Sequence, residues 1–179
     1  MFKDFQEDTD EFLRKMLEQD LAYGKISRLT KTEADHKAMK DVIFKYYLQI
    51  KNIFLFLAST SSYPTLGFND TTEFVRRSNL FGKEINLARM DQQMIATNVS
   101  NNKYKSNSER ELHRYEFVEF IVRLGLTKYK EPKKVETLMQ ATEAILKDDV
   151  LPNNQAVDGL NFREAHMYNL KVDEIFRRN

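Results

Sequence analysis

Cysteine and tryptophan are absent from this 179-residue chain, and glycine (five) and proline (three) are scarce. Without cysteine there are no disulfides, no thiolate metal ligands and no thiol nucleophile. The same absence suits a reducing compartment, so a cytoplasmic protein is expected. Few glycines and prolines mean few breaks, and long segments place apolar residues at i, i+3, i+4 and i+7, which predicts an all-α fold. An excess of one charge is missing too: Lys plus Arg number 28 against 27 Asp plus Glu. Nothing in bulk draws such a chain to nucleic acid or to an anionic membrane, and neither is expected as a partner. The longest strongly apolar run, Ile53 to Ala58, is far below the roughly 20 residues that cross a bilayer, and the acidic opening MFKDFQEDTD carries no signal core.

Chemical motifs are missing as well. His36, His113 and His166 lie far apart and form no H-E-x-x-H pattern, so surface or capping roles are expected for them. Neither G-x-x-x-x-G-K-[ST] nor G-x-G-x-x-G occurs, which leaves nucleotide binding without support. No catalytic residue, metal ligand or cofactor is assigned, and the chain is read as a non-enzyme. Glu116 and Glu119 stand one helical turn apart, and they read as a solvated strip near Arg114 and Arg123.

What is present is helix. Phe12, Leu13, Met16, Leu17 and Leu21 make one stripe, predicting a helix over 10–23 that stops at Gly24. Thr30 and Glu33 have capping-box spacing before a long helix whose face carries Met39, Val42, Ile43, Tyr46, Ile50, Ile53, Phe54 and Leu57. After the segment STSSYPTLGFND, helix is expected to resume at Thr71, again over 84–97, and again from His113. Pro132 is expected to open a further helix that ends before Pro152, with Thr142 a polar exception on its apolar face. Phe162, Leu170, Val172, Ile175 and Phe176 mark the last one.

The segment 59–70 is twelve residues long, the length of an EF-hand calcium loop. With Leu66 at position 8, Asp70 takes position 12 and Ser59 position 1. Ser61 and Tyr63 fill positions 3 and 5, and Pro64 stands where the sharp turn needs glycine. One carboxylate is too little charge to strip water from a divalent ion. A second frame places Leu112 at position 8 and Glu116 at position 12. If Asn98 is position 1, that loop runs from 98 to 116, seven residues too long, and Lys103 and Lys105 would repel a cation. Both loops are therefore expected to bind no metal.

Paired frames of this kind resemble a degenerate EF-hand pair over residues 40–125. YPTLGFNDTTEF followed by ELHRYEFVEFIVRLGLTKY is similar to the EF-hand-like modules of protist ciliary axonemes, including proteins inside doublet microtubules. The resemblance implies an EF-hand-like pair of helix-loop-helix units (40–130) with N-terminal (1–39) and C-terminal (131–179) helical extensions, the latter able to begin a further module. It also implies a structural or interaction role in the cilium axoneme, with tubulin and other axonemal proteins as partners. The alternative is a calcium-responsive adaptor that binds an amphipathic partner helix. For contact with an acidic polymer, the basic run TKYKEPKK offers Lys128, Lys130, Lys133 and Lys134. Arg76 and Arg77 could extend it, and Lys103 and Lys105 lie on the long loop.

Overall fold

The computed structural model describes residues 8–61, 63–98, 110–154 and 170–178. Among them every regular element is helical, and the one β-type pairing is an isolated antiparallel bridge between Leu66 and Leu112. No helix among the described residues is long and apolar enough to cross a membrane. Phe162, His166, Lys103 and Lys105 lie outside the described residues.

Helix α1 spans Asp10–Tyr23, as its apolar stripe predicts. Thr9 caps it by accepting the Phe12 N–H, and Asp10 and Glu11 favour its positive end. Leu13, Leu17 and Leu21 are its buried face. Helix α2, Glu33–Ser59, is the spine. Its capping box is Thr32 with Asp35, two residues beyond the expected Thr30 and Glu33. Thr30 instead bonds Ser27 and closes the 3-10 turn Ile26–Arg28. Along α2, Met39, Ile43, Tyr47, Ile50, Ile53, Phe54 and Leu57 are buried, so Tyr47 rather than Tyr46 points to the core.

Helix α3, Phe68–Arg77, starts three residues before the expected Thr71, because Asp70 reaches back to cap the Gly67 N–H at 2.9 Å. Helix α4 covers Leu87–Asn98. It starts later than expected because Asn86 caps the Arg89 N–H at 2.8 Å, while Glu84 turns away to pair with Lys134.

Helix α5, Arg114–Gly125, continues into a wider π turn, Leu126–Lys130. Pro132 does not open the next helix. Lys133 adopts φ 59, the left-handed region, which ends one helix without beginning another. Helix α6 begins at Leu138, where Thr137 accepts the Gln140 N–H at 3.2 Å. It runs through Ala144, widens to a π turn over Ile145–Val150, and passes Pro152 in a last turn, Leu151–Asn153. The expected stop before Pro152 fails because the widened turn falls just ahead of it, where a regular ladder could not continue without the missing N–H. Thr142, the polar exception, is buried and bonds the Leu138 carbonyl at 2.9 Å. A separate helix, Leu170–Arg178, has no buried residue.

Helices α1 and α6 both pack against α2 and α5, and α4 packs against α5. One hydrophobic cluster runs from Leu13 to Val150, with the Phe117 ring tilted against Phe54 at 5.8 Å and edge-on to Phe74 at 4.9 Å. Helix α5 is thus enclosed on nearly all sides, as its run FVEFIVRLGL implies.

Candidate interaction site: the paired loops and the basic helix end

The bridge brings together the two segments that precede α3 and α5. Leu66 N–H donates to Leu112 O at 2.9 Å, and Leu112 N–H returns the bond to Leu66 O at 2.8 Å. Both leucines are fully buried. Beside them the Thr65 hydroxyl donates to Glu111 Oε2 at 2.8 Å, and Asn98 Nδ2 donates to the Glu111 carbonyl at 3.0 Å. The two reciprocal backbone bonds set the register of one segment against the other.

The two loops end alike. Asp70 caps Gly67, and Glu116 caps His113 at 2.8 Å. Glu73 accepts from Arg77 Nε at 2.7 Å, and Glu119 from Arg123 Nε at 2.8 Å. Leu66, Asp70, Glu73, Phe74, Val75 and Arg77 therefore match Leu112, Glu116, Glu119, Phe120, Ile121 and Arg123 in order, chemistry and bonding. Asp70 and Glu116 thus both serve the backbone. Ser59 Oγ bonds the Phe56 carbonyl at 2.8 Å and Tyr63 is 68% exposed. No group of three His, Asp or Glu side chains that could hold a metal occurs among the described residues.

Burial separates the copies. Glu73 is partly exposed, whereas Glu119 is 0% and Glu116 3% exposed, so the expected solvated strip is instead inside the protein. The cause is the packing of α1, α4 and α6 around α5. Burial pushes the Glu116 carboxyl up to about 7, against the lowering effects of the His113 N–H and the Lys25 charge. Arg114 does not pair with either glutamate. It makes two 2.9 Å bonds to Asp20 of α1, which also accepts the Tyr47 hydroxyl of α2. Burial, then the Asp20 charge and hydrogen bond, raises the Tyr47 phenol far above its ordinary value. Lys25 enters from the α1–α2 connector: its N–H bonds Glu119 Oε2 at 2.7 Å, and its ammonium donates to the Ala96 and Thr97 carbonyls at 3.2 and 2.6 Å. Sequence reasoning missed Asp20, Tyr47 and Lys25, whose partners lie more than twenty residues away along the chain.

At the basic end, Lys128 Nζ lies 2.7 Å from Asp149, which also accepts the Tyr129 hydroxyl at 2.7 Å. Burial and Asp149 raise the Tyr129 phenol. Lys134 pairs with Glu84 at 2.8 Å and, by that bond first, lowers the Glu84 carboxyl. Arg76 and Arg77 both pair with Glu73. Of the eight cationic candidates, Lys130 and Lys133 have no acidic partner within ion-pair distance among the described residues. Phe68, Asp91, Met94, Ile95, Asn98 and Arg110 line a surface hollow of about 520 Å³.

Compared with known proteins, the chain matches no family model, no curated protein and no solved structure.

His113 sits at the start of α5 with its Nε2 buried and without a hydrogen bond, and burial lowers its pKa. Its ring stacks on Tyr115.

Proposed function

We propose that this chain is a non-enzymatic structural and interaction module, an EF-hand-like pair that takes its shape without calcium. The observation that supports this best is the reciprocal Leu66–Leu112 pairing, together with the use of Asp70 and Glu116 as helix caps. An EF-hand pair joins its loops at this position, and carboxylates that already serve as caps are poor recruits for an ion that must be stripped of water. The site of action in this reading is the cilium axoneme, with tubulin or axonemal proteins of the doublet microtubule as partners. That part rests on the likeness of YPTLGFNDTTEF and ELHRYEFVEFIVRLGLTKY to axonemal modules. The contact to the acidic partner is carried by Lys130 and Lys133, the two lysines of the basic run that pair with no acid among the described residues.

A second reading, a calcium-responsive adaptor for an amphipathic partner helix, draws on the hollow at Phe68, Met94 and Ile95 and on the exposed Leu87 and Ile95 of α4. Titrating the chelator-stripped protein with calcium chloride, with melting curves run in parallel, separates the two. The structural module gives no heat and an unmoved Tm. Saturable heat with a raised Tm overturns it in favour of the adaptor.

A further inference from the structure

The helix Leu170–Arg178 has no buried residue. Nine residues are too few for a helix to persist alone in water, where even about 12 to 15 are marginal, so it needs a surface to lie on. Its sequence, LKVDEIFRR, sorts two kinds of side chain to opposite faces. Val172, Ile175 and Phe176 share one stripe at i, i+3 and i+4, and the last two are 59% and 72% exposed. On the other face Arg177 pairs with Asp173 at 2.9 Å and Arg178 reaches Glu174 at 3.9 Å. By helical spacing, Lys171 borders the stripe beside Ile175, and Asp173 borders it beside Phe176.

Helix α4 presents a face of matching length and character. Leu87, Asp91, Met94, Ile95 and Asn98 share one side of it, and Leu87 and Ile95 are 52% and 57% exposed. Its twelve residues run about 18 Å, enough to carry a nine-residue helix of about 14 Å. All of that side but Leu87 lines the hollow of about 520 Å³, together with Phe68 and Arg110. The hollow therefore offers an apolar floor with one acid and one base, and the stripe is flanked by one base and one acid.

We propose that the helix Leu170–Arg178 of one copy of this chain seats Val172, Ile175 and Phe176 in the Phe68, Met94 and Ile95 hollow of a second copy, which returns its own helix in exchange. Lys171 meets Asp91 across the contact, and Asp173 meets Arg110. Area argues for exchange. Even with Phe176 burying about 150 Å² or more, one helix in one hollow stays below the roughly 1,200 Å² of a stable interface, and two exchanged helices bring the total to that range. Exchange also closes the assembly as a two-fold dimer, whereas a one-way contact would leave a helix and a hollow open at its ends and grow into a filament. This inference goes beyond the proposed function and holds whether or not the loops bind calcium.

Full-length wild type should sediment as a dimer at micromolar concentration, in chelator and in calcium chloride alike. Ile95→Glu and Phe176→Glu, both at exposed positions, should each weaken the dimer at least about ten-fold, because a charge then enters an apolar contact. The chain has no cysteine, so introduced thiols report on this contact alone. Ile95→Cys and Phe176→Cys copies, mixed and treated with a short bismaleimide, should join between chains through positions 95 and 176, identified by peptide mass spectrometry. A monomeric wild type overturns the proposal, and so does a dimer that both glutamate variants leave unchanged. In the double variant Ile95→Cys/Phe176→Cys, links confined to single chains would assign the helix to its own hollow and overturn the exchange, while links between chains uphold it. A dimer present in calcium chloride and lost in chelator would uphold the exchange and overturn the calcium-independent reading instead.

Discussion

Glu116 shows how a single buried carboxyl acquires a pH dependence. Its folded pKa is raised to about 7 from an ordinary 4.5, chiefly by burial. The folded state therefore holds this proton more tightly than the unfolded chain does. The resulting stability is fully present below about pH 4.5 and is lost as pH rises to about 7, after which it changes no further. Glu116→Gln keeps a carbonyl oxygen for the His113 N–H and removes the titration. The expected result is a higher Tm relative to wild type at pH 8 than at pH 4.5, read from paired melting curves; a constant difference across that range would refute the assignment. Asp20 illustrates the opposite risk. Asp20→Ala leaves the Arg114 guanidinium and the Tyr47 hydroxyl without their shared acceptor, and a loss of about 3 to 5 kcal/mol in chemical denaturation is expected, typical of breaking a buried ion pair from one side.

Among the elements, α5 and α6 depend on one close approach. A Cβ added at Gly125 would stand 2.9 Å from the Ala141 carbonyl and 3.0 Å from Ile145 Cγ2. Backbone at the first of these cannot yield as a flexible side chain would. Gly125→Ala should therefore cost about 1 to 3 kcal/mol despite alanine's better helix propensity, measured by urea denaturation. A neutral or stabilising result would mean that the two helices can separate freely. The break between them is local in origin. Lys133 at φ 59 is disfavoured for a side chain with a Cβ, so Lys133→Gly should gain up to about 1 kcal/mol in the same assay.

At the scale of the whole molecule, the two signs of charge are nearly even, 28 Lys plus Arg against 27 Asp plus Glu, and part of that charge is paired among the described residues. The basic run TKYKEPKK looks like a patch of four lysines, yet Lys128 and Lys134 face Asp149 and Glu84. Only an unbalanced charge can draw a distant acidic partner. In the proposed axonemal role, Lys130→Ala/Lys133→Ala should weaken cosedimentation with microtubules at low salt, while Arg76→Ala/Arg77→Ala should change it much less. Equal binding by the Lys130/Lys133 variant and wild type would remove the basic end from the interface. The N-terminal helix is bound into the same body: Leu13, Leu17 and Leu21 belong to the common core, and Asp20 and Lys25 anchor α1 and its connector to α5 and α4.

The sequence by itself determined the helical class, the bounds of α1 and the equal spacing of Leu66 to Asp70 and Leu112 to Glu116. Apolar spacing along one helix is a local signal, and so is the distance from Leu66 to Asp70 or from Leu112 to Glu116. Caps were less legible. Thr30 and Thr32 both precede an acid by three residues, and only the 3-10 turn that engages Thr30 selects Thr32. Lys133 ends a helix through a backbone angle that its side chain does not announce. The tertiary structure alone decided which charges face solvent. Glu73 and Glu119 occupy the same place in matching segments, but α1, α4 and α6 pack around the helix that carries the second and leave the first at the surface. Lys25, Asp20 and Tyr47 likewise acquire their roles from partners distant along the chain. A side chain's burial depends on what packs over it, and that information is carried by the whole assembly of helices rather than by the residues next to it.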